Sequence, residues 1–119
     1  MQEIQEKSTP VVDPIQGIAT VAAVINDRQV VINKGAQDGI AFGQRFTLYE
    51  LSEQDIVDPT TNKSLGRLET IKGTGRVVHI QDKLSILEAT HQYQLIGLIG
   101  KLPEVFFKGP KVGDKARPI

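Results

Sequence analysis

Apolar positions along this chain recur at intervals of two, in short runs broken by glycine, proline and asparagine. The stretch Gln29–Glu50, QVVINKGAQDGIAFGQRFTLYE, shows the pattern most clearly. Side chains alternate along a strand, so Val30 and Ile32 share one face and Val31 the other. Asn33-Lys34-Gly35 interrupts the run. Gly39 and Gly43 follow at intervals of four, and Asp38-Gly39 is a dipeptide suited to a positive-φ turn. The spacing predicts a ten-residue crossing with structural turn positions at Gly35, Asp38, Gly39 and Gly43. Ile40 or Phe42 is expected to plug the end of a core. Alternation then resumes over Arg45 to Leu51, with Phe46 and Leu48 on the buried face and Thr47 and Tyr49 opposite.

The same reading extends along the chain. Met1–Gln16 is polar and carries Thr9-Pro10 and Asp13-Pro14, which predicts an extended, partly disordered lead. Residues 17–119 form one domain on this reading. Gly17 to Ile25 and Arg28 to Asn33 make a hairpin, with Asn26-Asp27 at its turn. A second, projecting hairpin is expected over 55–64 around Asp58-Pro59-Thr60-Thr61-Asn62, with Pro59 suited to a type I turn. Leu68 to Ile80 reads as a long strand whose Gly73-Thr74-Gly75 marks a bulge or barrel corner. Gln81-Asp82-Lys83 turns the chain into a strand over Leu84 to Ala89. In the tail, KVGDKARPI predicts a turn at Gly113-Asp114 and a final short strand. Together these elements predict an all-β fold, a small barrel (SH3-like or OB-like) of five to seven mostly antiparallel strands.

Composition narrows the function classes. At 119 residues one domain is expected. Eleven glycines and six prolines suit many short strands and turns. Fourteen basic and fourteen acidic side chains leave no net charge, which argues against a dedicated nucleic-acid binder. There is no cysteine, so disulfides, thiolate metal sites and thiol catalysis are excluded. No apolar run is long enough for a transmembrane segment. Met1–Pro10 lacks the apolar core of a secretory signal, so a cytoplasmic location is expected, or a periplasmic one if a signal has been removed.

Reactive groups are sparse. His79 alternates with Val78 and Ile80 and is expected on the wet face; His91 lies beyond the strand end. Neither has acidic residues at ligand spacing, so no metal or cofactor is expected. Gly73 and Gly75 open onto Val77-Val78 rather than a helix, unlike a phosphate-cradling loop. Asp55, Asp58 and Asn62 lack the alternating carboxylates of a calcium loop. No serine has a nucleophile-elbow setting. The carboxylates Glu50, Glu53 and Asp55 could approach Glu69 in space, but nothing in the sequence joins them.

The blocks VVINKGAQDGIAFGQRFTLYE and IVDPTTNKSLGRLE, the glycine-broken strand and the VGDK tail resemble the C-terminal domain of the flagellar assembly protein T family. They also resemble small stand-alone bacterial proteins of unassigned role. The first block is similar to the strand–glycine–strand module in the β domains of rod-shape-determining protein C. The resemblance covers Gly17 to Ala89 and the tail. It implies a small barrel, because the matched positions are scaffold glycines and turn residues rather than reactive groups.

The expected function is therefore a non-catalytic structural or protein-interaction module of a bacterial protein, in a cell-envelope or flagellar-type assembly. The alternative is a small-molecule or oligosaccharide-binding barrel, rimmed by Tyr49, His79 and the 55–64 hairpin. A protein partner or self-association is expected through Leu95, Ile96, Leu98, Phe106 and Phe107, an apolar set unusual for a tail. The competing role for these residues is to cover the open end of the barrel.

Overall fold

The computed structural model describes residues 17–91 and 105–119. The polar lead lies outside the described residues, as do Leu95, Ile96 and Leu98 of the expected interaction surface. Among the described residues there are six strands: β1 (Ala19–Asn26), β2 (Gln29–Ile32), β3 (Arg45–Val57), β4 (Ser64–Ile80), β5 (Ser85–Thr90) and β6 (Lys115–Pro118). They pair antiparallel in the order β1-β2-β5-β4-β3-β6, and β6 closes the ring against β1. The all-β barrel that the alternation predicted is the observed fold.

Alternation sets the core. Val30 and Ile32 of β2, Phe46 and Leu48 of β3, Val77 of β4 and Leu87 of β5 are fully buried inside the ring. Ala19 and Val21 of β1 and Ala116 of β6 complete that interior. Each buried aliphatic or aromatic side chain contributes on the order of 1.5–3 kcal/mol from removal of apolar surface. The bore is filled by side chains.

The glycine crossing closes one end of the barrel. A single 3-10 turn, Ala36–Asp38, is bracketed by Gly35 and by Gly39, which is left-handed at φ 80°. Gly43 is also left-handed, at φ 83°. The Asp38 carboxylate accepts from the Gly35 amide at 3.0 Å, closing the turn. Gly35 is needed for a different reason: its backbone is extended, but an added Cβ would run into the Gln81 carbonyl and stand 2.6 Å from the Leu84 nitrogen. The Ala36 and Gln37 amides donate to the Gln81 and Asp82 carbonyls, docking the crossing on the β4–β5 turn. Ile40 packs against the core, whereas Phe42 is exposed.

One turn departs from expectation, and one hairpin is longer than expected. Asn26 pairs with Gln29, so the β1–β2 turn is Asp27-Arg28, one residue later than expected. Neither residue takes positive φ. The Asn26 side chain instead accepts from the Arg28 amide at 2.8 Å, which stabilises an ordinary turn in place of a left-handed one. The 55–64 hairpin projects as expected, but it is continuous with the barrel strands. β3 and β4 run on continuously into it, and the break expected after Leu51 is absorbed within the ladder, where Leu51 pairs with Glu69 but Asp55 with Arg67. Two surplus residues on β3 are accommodated by Ser52, whose hydroxyl accepts from the Leu68 amide at 2.9 Å. The tip closes as Asn62, at φ 63°, donates its amide to the Asp58 carbonyl at 2.7 Å.

Candidate functional site

Two features lie outside the plain barrel: a buried ion-pair hub beneath the C-terminal segment and the arm made by the outer halves of β3 and β4. The hub begins with a bulge. Leu48 pairs with Gly73 and Tyr49 with Ile71, so Lys72 has no residue opposite. A bulged residue is re-aimed relative to the alternation of its strand. Lys72 is accordingly buried, at 6% exposure. Its ammonium donates to the Asp114 carboxylate at 2.8 Å and to the Gly109 carbonyl at 2.9 Å, and lies 3.1 Å from Glu50. Asp114, 1% exposed, also accepts from the Lys111 amide at 2.9 Å. Lys111 in turn pairs with Glu50 at 2.6 Å.

This hub ties down the segment that leads into β6. The Phe107 amide donates to Asp27 in the β1–β2 turn, and the Lys108 amide to the Lys72 carbonyl. Further along, the Gly113 amide donates to Val21 of β1. Phe107 thereby enters the barrel and joins the core at 3% exposure. It is not part of an interaction surface, and that expectation is corrected. The reason lies in β4: an added Cβ on Gly75 would be 2.9 Å from the Phe107 ring, and one on Gly73 would be 3.2 Å from it. The two glycines make the seat for the ring. Phe106 points the other way, half-exposed, with the Arg28 guanidinium 5.9 Å from its ring centroid.

The carboxylates are matched to cations. Lys111 and then Lys72 hold the Glu50 carboxyl below its ordinary value, and Glu50 raises Lys111. On the outer wall, Arg117 pairs with Glu69 at 2.9 Å and lowers its pKa, while its guanidinium lies 4.5 Å from the centroid of the buried Tyr49 ring. Glu50 and Glu69 therefore face separate cations rather than each other. Among the described residues no group of three or more His, Asp or Glu could hold a metal ion.

The rim suggested for a ligand-binding barrel is not assembled. Tyr49 pairs with Ile71, whereas His79 lies eight residues further along β4 and is exposed, bonded to Gln81. That separation is roughly 26 Å along a strand. A cleft of about 360 Å³ lies at the base of the arm, lined by Glu50, Glu53, Arg67, Lys111 and Lys115 among others. A second, of about 560 Å³, lies at Gln81–Leu84 at the other end. Neither includes Tyr49 or His79.

The arm is the most distinctive surface. From Glu53 to Val57 and from Ser64 to Ile71 every residue is exposed. The exposed set includes Ile56, Val57, Leu65, Leu68 and Ile71. Sequence reading placed a projecting hairpin here but did not single out these side chains. Their signal was that, among the described residues, no strand pairs with the arm's two outer edges, which a sequence does not display. No protein-family model matches the chain, and no curated protein sequence matches it. Among the described residues no helix is long and apolar enough to cross a membrane.

Proposed function

We propose that this domain is a non-catalytic protein-interaction module of a bacterial protein, within a cell-envelope or flagellar-type assembly, and that the β3–β4 arm is its docking element. The observation that carries the reading is the arm's run of exposed Ile56, Val57, Leu65 and Leu68, held away from a barrel whose own interior is filled. Exposed apolar surface of this kind marks sites of association. A two-stranded ribbon is also only marginally stable alone, so such an arm gains from a partner. The resemblance to the flagellar assembly protein T family supports the assembly context. The non-catalytic reading is supported by Glu50, Asp114 and Glu69, whose carboxylates are each committed to a lysine or arginine.

A photo-crosslinking side chain at position 65 of the arm, compared with one at position 82 on the opposite end, tests this in cells of the native host. Discrete protein adducts from position 65 and none from position 82 are expected, a second copy of the chain counting as an adduct. Adducts absent from position 65, or equal from both positions, overturn the assignment of the arm.

A further inference from the structure

β4 has two edges, and in the arm only one of them is paired. On one side it runs against β3 from Ser64 to Arg76. On the other, β5 pairs only with Thr74 to Ile80, and the Lys72 carbonyl takes the Lys108 amide. Among the described residues no strand pairs with that edge from Ser64 to Ile71. Unpaired edges of this length are templates for strand addition, and proteins that remain monomeric usually blunt them with lysine, proline or a cover. Between Leu65 and Ile71 this edge has no proline and no lysine, its charged residues are Arg67 and Glu69, and among the described residues no strand covers it.

The order of side chains along the edge specifies the partner. Residues 65–71 read Leu-Gly-Arg-Leu-Glu-Thr-Ile. If the segment pairs antiparallel with itself about a two-fold axis at Leu68, each residue meets the one whose number makes 136 with its own. Leu68 meets Leu68 of the partner subunit. Arg67 meets Glu69 of the partner subunit, and Glu69 meets Arg67 of the partner subunit. Leu65 and Ile71 meet at both ends, and Gly66 meets Thr70. Apolar thus lies on apolar. Arg67 stands opposite a Glu69 that keeps its pair with Arg117 of its own chain, so opposite charges face across the axis as in the cross-strand pairings that stabilise a sheet. Moving the axis by one position, to Glu69, sets two glutamates against each other. Lys72, turned into the hub, ends the free edge on one side. Leu65, the unopposed residue where Ile56 pairs with Gly66 but Val57 with Ser64, ends the regular ladder on the other.

We infer that the partner of the arm is a second copy of this chain, joined through antiparallel β4–β4 pairing of residues 65–71 with Leu68 on the two-fold axis. The inference rests on the arm being a docking element and adds what docks there. Pairing converts two marginal two-stranded arms into one four-stranded sheet, β3-β4-β4-β3, and a two-fold contact of this kind closes on itself. Leu65, Leu68 and Ile71, exposed in the single chain, are the side chains it covers.

Residue 68 facing itself gives a specific test. Leu68 is exposed and outside the core, so Leu68→Lys and Leu68→Glu leave the barrel folded. Sedimentation equilibrium of wild type is expected to show a dimer at high concentration. Leu68→Lys and Leu68→Glu are each expected to lose it, because like charges then meet on the axis. Mixed in equal amounts, the two variants should recover a dimer containing one of each. The chain has no cysteine, so Leu68→Cys offers a second readout, a covalent dimer under mild oxidation. Monomeric wild type, or a dimer untouched by either charge, overturns the inference. A monomer that still gives adducts from position 65 with another protein leaves the docking role standing and replaces the partner. A monomer with no such adducts removes both.

Discussion

At the scale of single residues, Phe107 and Lys72 organise more of this domain than their sequence settings suggest. Among the described residues of the C-terminal segment, Phe107 is the aromatic side chain that enters the core, and it rests on Gly73 and Gly75. Phe107→Ala is expected to destabilise the domain by about 3–5 kcal/mol, the cost of lost burial plus an unfilled cavity. Phe106→Ala, at a half-exposed position, should cost far less. Denaturant titration of the two variants checks the assignment, and equal losses would reverse it. Lys72→Met leaves Asp114 buried without its cation, which costs on the order of 3–5 kcal/mol when a buried pair loses one member. Lys72→Met combined with Asp114→Leu is expected to regain part of that loss, since no lone charge then remains. The same titration measures it, and a double variant weaker than Lys72→Met contradicts the role given to the pair.

At the scale of elements, β6 and the segment before it are held to β3 partly by charge. The folded-state pKa of Glu50 lies below its ordinary value of 4.5, so the folded chain binds fewer protons there than the unfolded one. Its contribution to stability is present above pH 4.5 and is lost as the pH falls through the lowered value. Lys111 behaves in the opposite sense. Its pKa is raised above 10.5, so its share is present below that value and lost as the pH rises through the raised one. Unfolding midpoints measured from neutral pH into acid should therefore drop less steeply for Glu50→Gln than for wild type. Superimposable profiles would show that the Glu50 pairs carry no stability. The arm is a second element with its own expectation. It supplies no residue to the core, so replacing residues 54–67 by a short turn should leave the thermal midpoint of the monomer close to that of wild type.

For the whole molecule, closure of the ring depends on its last strand. β6 pairs with β3 over Phe46 to Tyr49 and with β1 only at Ala19 and Thr20. Between them it covers a barrel whose other contacts are already made. Deleting residues 114–119 removes the buried Asp114 and Ala116 together with both ladders. The expected product has lost cooperative thermal unfolding and binds a hydrophobic dye, as states with exposed cores do. A truncated chain with a sharp, wild-type transition would show that the ring closes without β6.

Much of this barrel was legible from local rules alone. Val30, Ile32, Phe46 and Leu48 lie inside because strand side chains alternate and β2 and the start of β3 are regular there. Gly39 and Gly43 were legible as turn residues because positive φ is a property of one residue and its neighbours. The sequence did not determine where alternation breaks. Lys72 turns inward because its bulge depends on which residues of β3 lie opposite, and its partners, Gly109 and Asp114, come from far along the chain. For the same reason Gly73 and Gly75 carried a correct but incomplete message: they mark a bend, and only the tertiary structure seats Phe107 upon them. The self-complementary order of residues 65–71 was present in the sequence throughout. It acquires meaning only in the folded barrel, because whether a strand edge is paired depends on its neighbours in space.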